Sequence, residues 1–111
     1  MAAGKYNLLI EQGSTFKKII TLKDNAGVVT NLTGATFKSQ IKTRAGGTLI
    51  VQFTMVNDDL VNGKFSLNLT ALQTTALSFN SAVYDIEVVY SNLTVERLIE
   101  GNVSLSKEIT V

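Results

Sequence analysis

The stretch TNLTGATFKSQIKT, residues 30–43, decides how the rest of the chain is read. Its first half allows two readings. Asn31-Leu32-Thr33 is an acceptor triplet for an N-linked glycan, and the same residues followed by Gly34 carry the Asn and Gly chemistry of a turn that launches a strand. Its second half allows one. Phe37, Ser39 and Ile41 alternate with Lys38, Gln40 and Lys42. Successive side chains of a strand point to opposite faces, so residues 36–43 are predicted to form a half-buried strand with one apolar and one wet side.

Outward from this stretch the same pattern recurs: runs rich in Val, Ile, Phe, Thr and Tyr, each closed by Gly, Asn, Asp or Ser. TLIVQFTM (48–55) places Leu49, Val51, Phe53 and Met55 on one face, and GKFSLNL (63–69) sets Phe65, Leu67 and Leu69 against Lys64, Ser66 and Asn68. VYDIEVVY (83–90) aligns Tyr84, Ile86, Val88 and Tyr90 opposite Asp85 and Glu87. In NVSLSKEITV (102–111), Val103, Leu105, Ile109 and Val111 share a row that Lys107 interrupts, which predicts an edge or a bulge there. STFKKIITLK (14–23) aligns Phe16, Ile20 and Leu22 with Lys18 on their face, again the mark of a bulge or an edge strand. Short strands at this spacing describe an all-β sandwich or barrel.

The connections follow their own chemistry. KDNAGV (23–28) and RAGG (44–47) supply the Asn, Asp and Gly that hairpin turns need for positive φ. TALQTTALSFNS (70–81) differs. Thr70 with Gln73 three residues on is a capping-box pattern, and Ala71, Leu72, Ala76 and Leu77 recur at helical spacing. One short helical crossover near residues 70–78 is predicted, with that apolar row as a lid on the sandwich.

Composition narrows the chemistry. The chain has 111 residues, 10 Lys plus Arg against 9 Asp plus Glu, no cysteine, no histidine and no proline. That length fits one domain, residues 1–111, with an ordinary core. A net charge of +1 gives no broad field for nucleic acid or an anionic membrane surface, so neither is an expected partner. Without His and Cys, the Ser-His-Asp and Cys-His arrangements, imidazole metal sites and zinc fingers all fall away. Asn57, Asp58 and Asp59 lack the spacing of a calcium loop and read as a solvated turn. Glu87, Glu96 and Glu100 sit on neighbouring predicted strands, where two carboxylates are the apparatus of a glycosidase, but charges on a wet sheet face paired with Arg97 explain them as well. The glycines match no phosphate-binding motif. Tyr6, Tyr84, Tyr90, Phe37, Phe53 and Phe65 fall on predicted inward faces and read as core, not as a base-stacking platform. No catalytic residue, metal ligand or cofactor is therefore expected. The N-terminus carries an apolar run too short for a signal peptide, and no segment approaches a membrane span, so an export signal is not expected and the Asn-x-Ser/Thr triplets at Asn31, Asn68, Asn92 and Asn102 read as turn and strand residues.

Four pieces in order then become recognisable: Gln12-Gly13 with Phe16, the LTG of residues 32–34 opening a strand, the YDIE of residues 84–87, and the RLIEG of residues 97–101. Across nearly the whole chain the sequence resembles an immunoglobulin-like β-sandwich module of tailed-bacteriophage virion structural proteins, and is similar to the N-terminal domain of baseplate upper proteins. The resemblance implies a single immunoglobulin-like antiparallel β-sandwich of about seven strands. It also implies a virion location after synthesis in the cytoplasm of a bacterial host. Such modules are usually followed by a stalk or a receptor-binding segment. This sequence ends at Val111 with its last strand, which favours a small accessory subunit.

Two classes of function follow. The first is a non-enzymatic structural subunit, in the tail or baseplate or as a head decoration (cement) protein, that docks other virion structural proteins and copies of itself. The second is a carbohydrate-binding module of the tail, which would need exposed aromatics beside carboxylates. For the first class, strand addition at a free edge is the expected mode of contact. The candidate contacts are Tyr6, Asn7, Leu8, Leu9 and Ile10 near the N-terminus, and Glu108, Ile109, Thr110 and Val111 at the C-terminus. The N-terminal segment either completes its own sandwich as the first strand or adds to a neighbouring chain.

Overall fold

The computed structural model describes residues 4–24 and 26–109. Nine strands run through them in the order β1 (Gly4–Lys5), β2 (Leu8–Glu11), β3 (Phe16–Thr21), β4 (Thr36–Lys42), β5 (Leu49–Gln52), β6 (Thr54–Asp59), β7 (Lys64–Leu69), β8 (Ser81–Val89) and β9 (Val95–Ser106). One helix, α1 (Ala71–Thr75), and one 3-10 turn, Leu60–Asn62, complete the described elements. The larger sheet has the order β1-β9-β8-β4-β5, with β2 also on β9, and the smaller has the order β3-β7-β6. Every pairing is antiparallel except those of β1 and β2, which run parallel to β9. The result is an all-β sandwich.

The core forms where the alternating apolar faces meet. Ile41, Phe53, Phe65, Leu67, Tyr84, Ile86 and Val88 are buried, with Phe37 and Val51 packed against them, as the alternation predicted. Phe37 stacks on Phe65 at 4.2 Å between ring centroids, and Phe53 meets the ring of Tyr84 edge-on at 6.4 Å. Offset aromatic pairs of this kind contribute about 0.5–1.5 kcal/mol beyond their buried area. β3 is an edge strand, as Lys18 suggested. Its ammonium lies 5.0 Å from the ring centroid of Tyr6 and so finds a cation–π partner.

Five sequence expectations are corrected. Residues 48–55 are not one strand: the chain leaves the larger sheet at Gln52 and enters the smaller one at Thr54. Phe53 is the pivot, its N–H held by the Ser39 carbonyl at 2.9 Å, and a register shift in the β4–β5 pair leaves Leu49 exposed. Ser66, expected to be wet, is fully buried because β7 is the central strand of its sheet, flanked by Ile19 and Val56. The capping box of α1 is present, with Gln73 N–H donating to Thr70 Oγ1 at 3.1 Å and Thr70 N–H to Gln73 Oε1 at 2.9 Å. The apolar row is not a lid, however. Leu72 points to solvent, and the buried residues of the segment are Thr74 and Leu77. Thr74 Oγ1 donates to the Ser14 carbonyl and accepts from Gly13 N–H, so a hydroxyl docks the helix onto the β2–β3 turn. Tyr6, expected in the core, is 42% exposed. At the other end of the chain, β9 stops at Ser106 and Ile109 is exposed, so the apolar row ends at Leu105. Thr110 and Val111 lie outside the described residues.

Candidate functional site

β1 and β2 show how the N-terminal segment is held. Tyr6 N–H donates to the Glu100 carbonyl at 3.0 Å, the Tyr84 hydroxyl donates to the Tyr6 carbonyl at 2.6 Å, and Asn102 N–H donates to Asn7 Oδ1 at 3.0 Å. Gly101 makes this crossing possible. A Cβ there would meet the Tyr6 carbonyl carbon at 2.7 Å and its oxygen closer still. Leu8 and Ile10 enter the core, which stabilises the fold by about 1.5–3 kcal/mol each. Of the N-terminal candidates, Tyr6, Asn7 and Leu9 therefore remain on the surface, while Leu8 and Ile10 are spent on the core. At the C-terminus, Glu108 N–H donates to Gln12 Oε1 at 2.9 Å, and Ile109 is open to solvent.

The sandwich has four rims, and they differ. β3 carries Lys17 and the inward-pointing Lys18, β6 carries Asp58, Asp59 and a register shift, and β5 is four residues long with a register shift against β4. Charges, bulges and shortness are the devices that keep an edge from pairing with another chain. The β1–β2 rim is short too, two and four residues, and carries Lys5 and Glu11, but its register against β9 is unshifted and Leu9 lies exposed between those charges. Tyr6 and Gln12 N–H groups face β9, so alternation turns the Leu9 N–H toward the open side.

A second feature lies on the outer face of the larger sheet, where a groove of about 560 Å³ runs across β4, β8 and β9. Strand register builds it in rows. Lys38 pairs with Glu87 and Glu87 with Arg97; Gln40 pairs with Asp85 and Asp85 with Glu100; Lys42 pairs with Val83 and Val83 with Asn102. Strict alternation along β9 would group Glu96, Leu98 and Glu100. A register shift after Ile86 instead brings Arg97 beside Glu100 and sends Glu96 to the other side, where its carboxylate accepts from the Tyr90 hydroxyl at 3.3 Å. Glu96 is thus separated from Glu87 and Glu100, which both line the groove.

The groove's charges are partly matched. Lys5 Nζ meets Glu100 Oε1 at 2.7 Å, and Arg97 reaches Asp85 Oδ2 at 3.3 Å and Glu100 Oε2 at 3.6 Å. The hydrogen bond from Lys5, then its charge, holds the Glu100 carboxyl below its usual range. Lys38, Lys42 and Arg44 make no ion pair among the described residues. Tyr84 at the groove floor is 3% exposed, and burial followed by the nearby Tyr6 phenol pushes its hydroxyl up to about 12. Among the described residues, no exposed aromatic ring lines the groove beside its carboxylates.

Outside the groove's lining, the β8–β9 hairpin ends in Leu93. Leu93 N–H donates to the Tyr90 carbonyl at 2.8 Å and Tyr90 N–H to the Thr94 carbonyl at 2.9 Å, a short loop whose last residue takes left-handed backbone. That residue is Leu93, with φ 68°, the one non-glycine residue with positive φ among those described. The conformation costs a leucine about 1–2 kcal/mol, and its side chain is 81% exposed, so burial returns none of it. Sequence reading passed over Leu93. The available signal was an apolar residue where a two-strand turn calls for Gly or Asn.

No protein-family model matches the sequence, and no curated protein is similar to it.

Proposed function

We propose that the chain is a non-enzymatic assembly subunit of a tailed-phage virion, a tail or baseplate component that docks other virion proteins. One observation carries this reading beyond the sequence resemblance: between its charged ends, Lys5 and Glu11, the β1–β2 rim keeps an unshifted register against β9 and turns the exposed Leu9 outward. An open strand with unshielded donors and acceptors can be completed by a strand from a neighbour, and contact of that kind needs no catalytic group. Tyr6 and Leu9 flank the rim with exposed apolar surface that such a strand would cover.

The test uses Leu9→Pro. Proline is tolerated at a sheet edge where its missing N–H faces outward. Deleting residues 1–10 would remove Leu8 and Ile10 from the core and confound the result. The wild-type chain is expected in purified virions by mass spectrometry. Leu9→Pro is expected to lower its copy number severalfold while the isolated variant melts within a few degrees of wild type. Absence of the wild-type chain from virions refutes the proposal, and undiminished incorporation of Leu9→Pro refutes the rim as its contact.

A further inference from the structure

We propose that the outer face of the larger sheet is a docking surface for an acidic protein partner, anchored by Leu93 and steered by Lys38, Lys42 and Arg44. This rests on the assembly reading and adds the partner's chemistry and a second contact surface to it. Two independent observations lead here.

The first is charge. Five of the chain's ten basic residues, Lys5, Lys38, Lys42, Arg44 and Arg97, line the one groove, against Asp85, Glu87 and Glu100. Two of those carboxylates, Asp85 and Glu100, are already engaged by Arg97 and Lys5. The strip along β4 and the loop after it is left with three cations and no carboxylate in ion-pair contact among the described residues. A second copy of this chain would bring the same excess of positive charge to the contact. A partner that presents carboxylates answers it, and like-charge rejection disfavours self-pairing on this face.

The second observation is Leu93. It holds a backbone conformation that favours glycine, yet its side chain packs on nothing within the domain. Strain of this kind persists where it serves contact or function. Leu93 does not line the groove but stands at the end of the hairpin formed by β8 and β9, two of the groove's strands. Val95 and Val89 pair at the base of the hairpin, Thr36 pairs with Val89, and the next row down is Lys38-Glu87-Arg97. The larger sheet thus carries an exposed leucine at its hairpin end and basic residues along its outer face, the arrangement of an apolar anchor with a charged surround that steers encounter.

Two measurements test this. In the first, amide shifts of the isolated protein are followed by NMR while poly-L-glutamate is added. Shifts confined to the groove, centred on Lys38, Lys42 and Arg44 and reversed by salt, are expected. No shifts, or shifts centred on another face, overturn the proposal. Heparin serves as the second probe, and a response to heparin with none to poly-L-glutamate assigns the face to an anionic saccharide and overturns a protein partner. In the second measurement, virions are assembled with Leu93→Gly or with Lys38→Glu/Lys42→Glu. Leu93→Gly is expected to melt at or above the wild-type temperature and yet enter virions at least tenfold less, a pairing that simple misfolding cannot produce. Full incorporation of both variants overturns the inference while leaving the assembly reading intact. If the wild-type chain itself is absent from virions, the assembly reading fails and the poly-L-glutamate titration alone decides the charged face.

Discussion

The tripeptide Asn-Leu-Thr closes a loop at residues 31–33 and tips a hairpin at residues 92–94, and the two copies put their leucines to opposite uses. The local geometry is nearly the same. Asn31 Oδ1 accepts from Thr33 N–H at 3.0 Å, and Asn92 Oδ1 accepts from Thr94 N–H at 3.0 Å, so both asparagines make the turn that their short amide side chain favours. In the first copy the left-handed position falls on Gly34, with φ 83°, and Leu32 drops into the core at 1% exposure. In the second it falls on Leu93 itself, and the side chain points to solvent. A third copy, at 68–70, does neither: Asn68 and Leu69 end β7, and Thr70 caps α1. The three letters select hydrogen bonds a few residues long. They do not select which side of the chain the core will lie on.

The largest effect expected from this contrast is at Leu32. Leu32→Ala should destabilise the fold by about 2–5 kcal/mol, because it opens a cavity in packed surroundings. Chemical denaturation of Leu32→Ala beside Leu93→Ala reads the difference directly, and the second should lie within about 0.5 kcal/mol of wild type. Equal losses would show that Leu93 packs on the domain after all.

Gly34 comes next. A side chain there must adopt φ 83° and place its Cβ 3.0 Å from that of Ser91, so Gly34→Ala should cost about 1–2 kcal/mol in thermal or urea unfolding. The mirrored change, Leu93→Gly, should move stability the other way or leave it unchanged.

Hydroxyls show the same contrast of inward and outward groups through pH. Tyr84 stays protonated up to about 12 in the fold against 10.0 for an ordinary tyrosine, so the unfolded chain gives up this proton first. Its contribution is complete below pH 10 and is lost as pH rises toward 12. A denaturation series from pH 9 to 12 should therefore show a steeper fall in wild type than in Tyr84→Phe. Tyr90, also raised by burial and then by Glu96, should add less, because it is only half covered. Asn31→Ala and Asn92→Ala form the smallest pair: the first loses two exposed side-chain hydrogen bonds, from Thr33 N–H and Oγ1, and the second loses one, from Thr94 N–H, each worth about 0.5–1.5 kcal/mol. Only a loss at Asn31 beyond its additional hydrogen bond would mean that the loop around Leu32 is more tightly coupled to the core than the hairpin tip is.

Much of the surface that these experiments address was written in the sequence, and its grouping was not. Lys38, Gln40 and Lys42 could be placed on one wet face by period two alone. Asp85 and Glu87 could be placed opposite Tyr84, Ile86 and Val88 in the same way. Arg97 could not be placed, because a one-residue register shift flips every side chain beyond it, and nothing in RLIEG announces that shift. Leu49 was misplaced for a related reason, since the turn of the chain from one sheet to the other at Phe53 is invisible to a pattern of alternate residues.

By itself the sequence determined the class of fold, the strands whose faces alternate cleanly, the capped helix after Leu69 and the exclusion of imidazole and thiol chemistry. Each of these rests on interactions between residues near in sequence or on the plain inventory of side chains. The tertiary structure decided the rest: that the N-terminal strand lies parallel to β9, that Gly101 must lack a Cβ to let Tyr6 cross, that five cations share one groove, and that one leucine of a repeated triplet is buried while another stands strained in solvent. Those outcomes depend on which distant strands become neighbours. Burial is a property of the assembled sandwich, and no window of adjacent residues contains it.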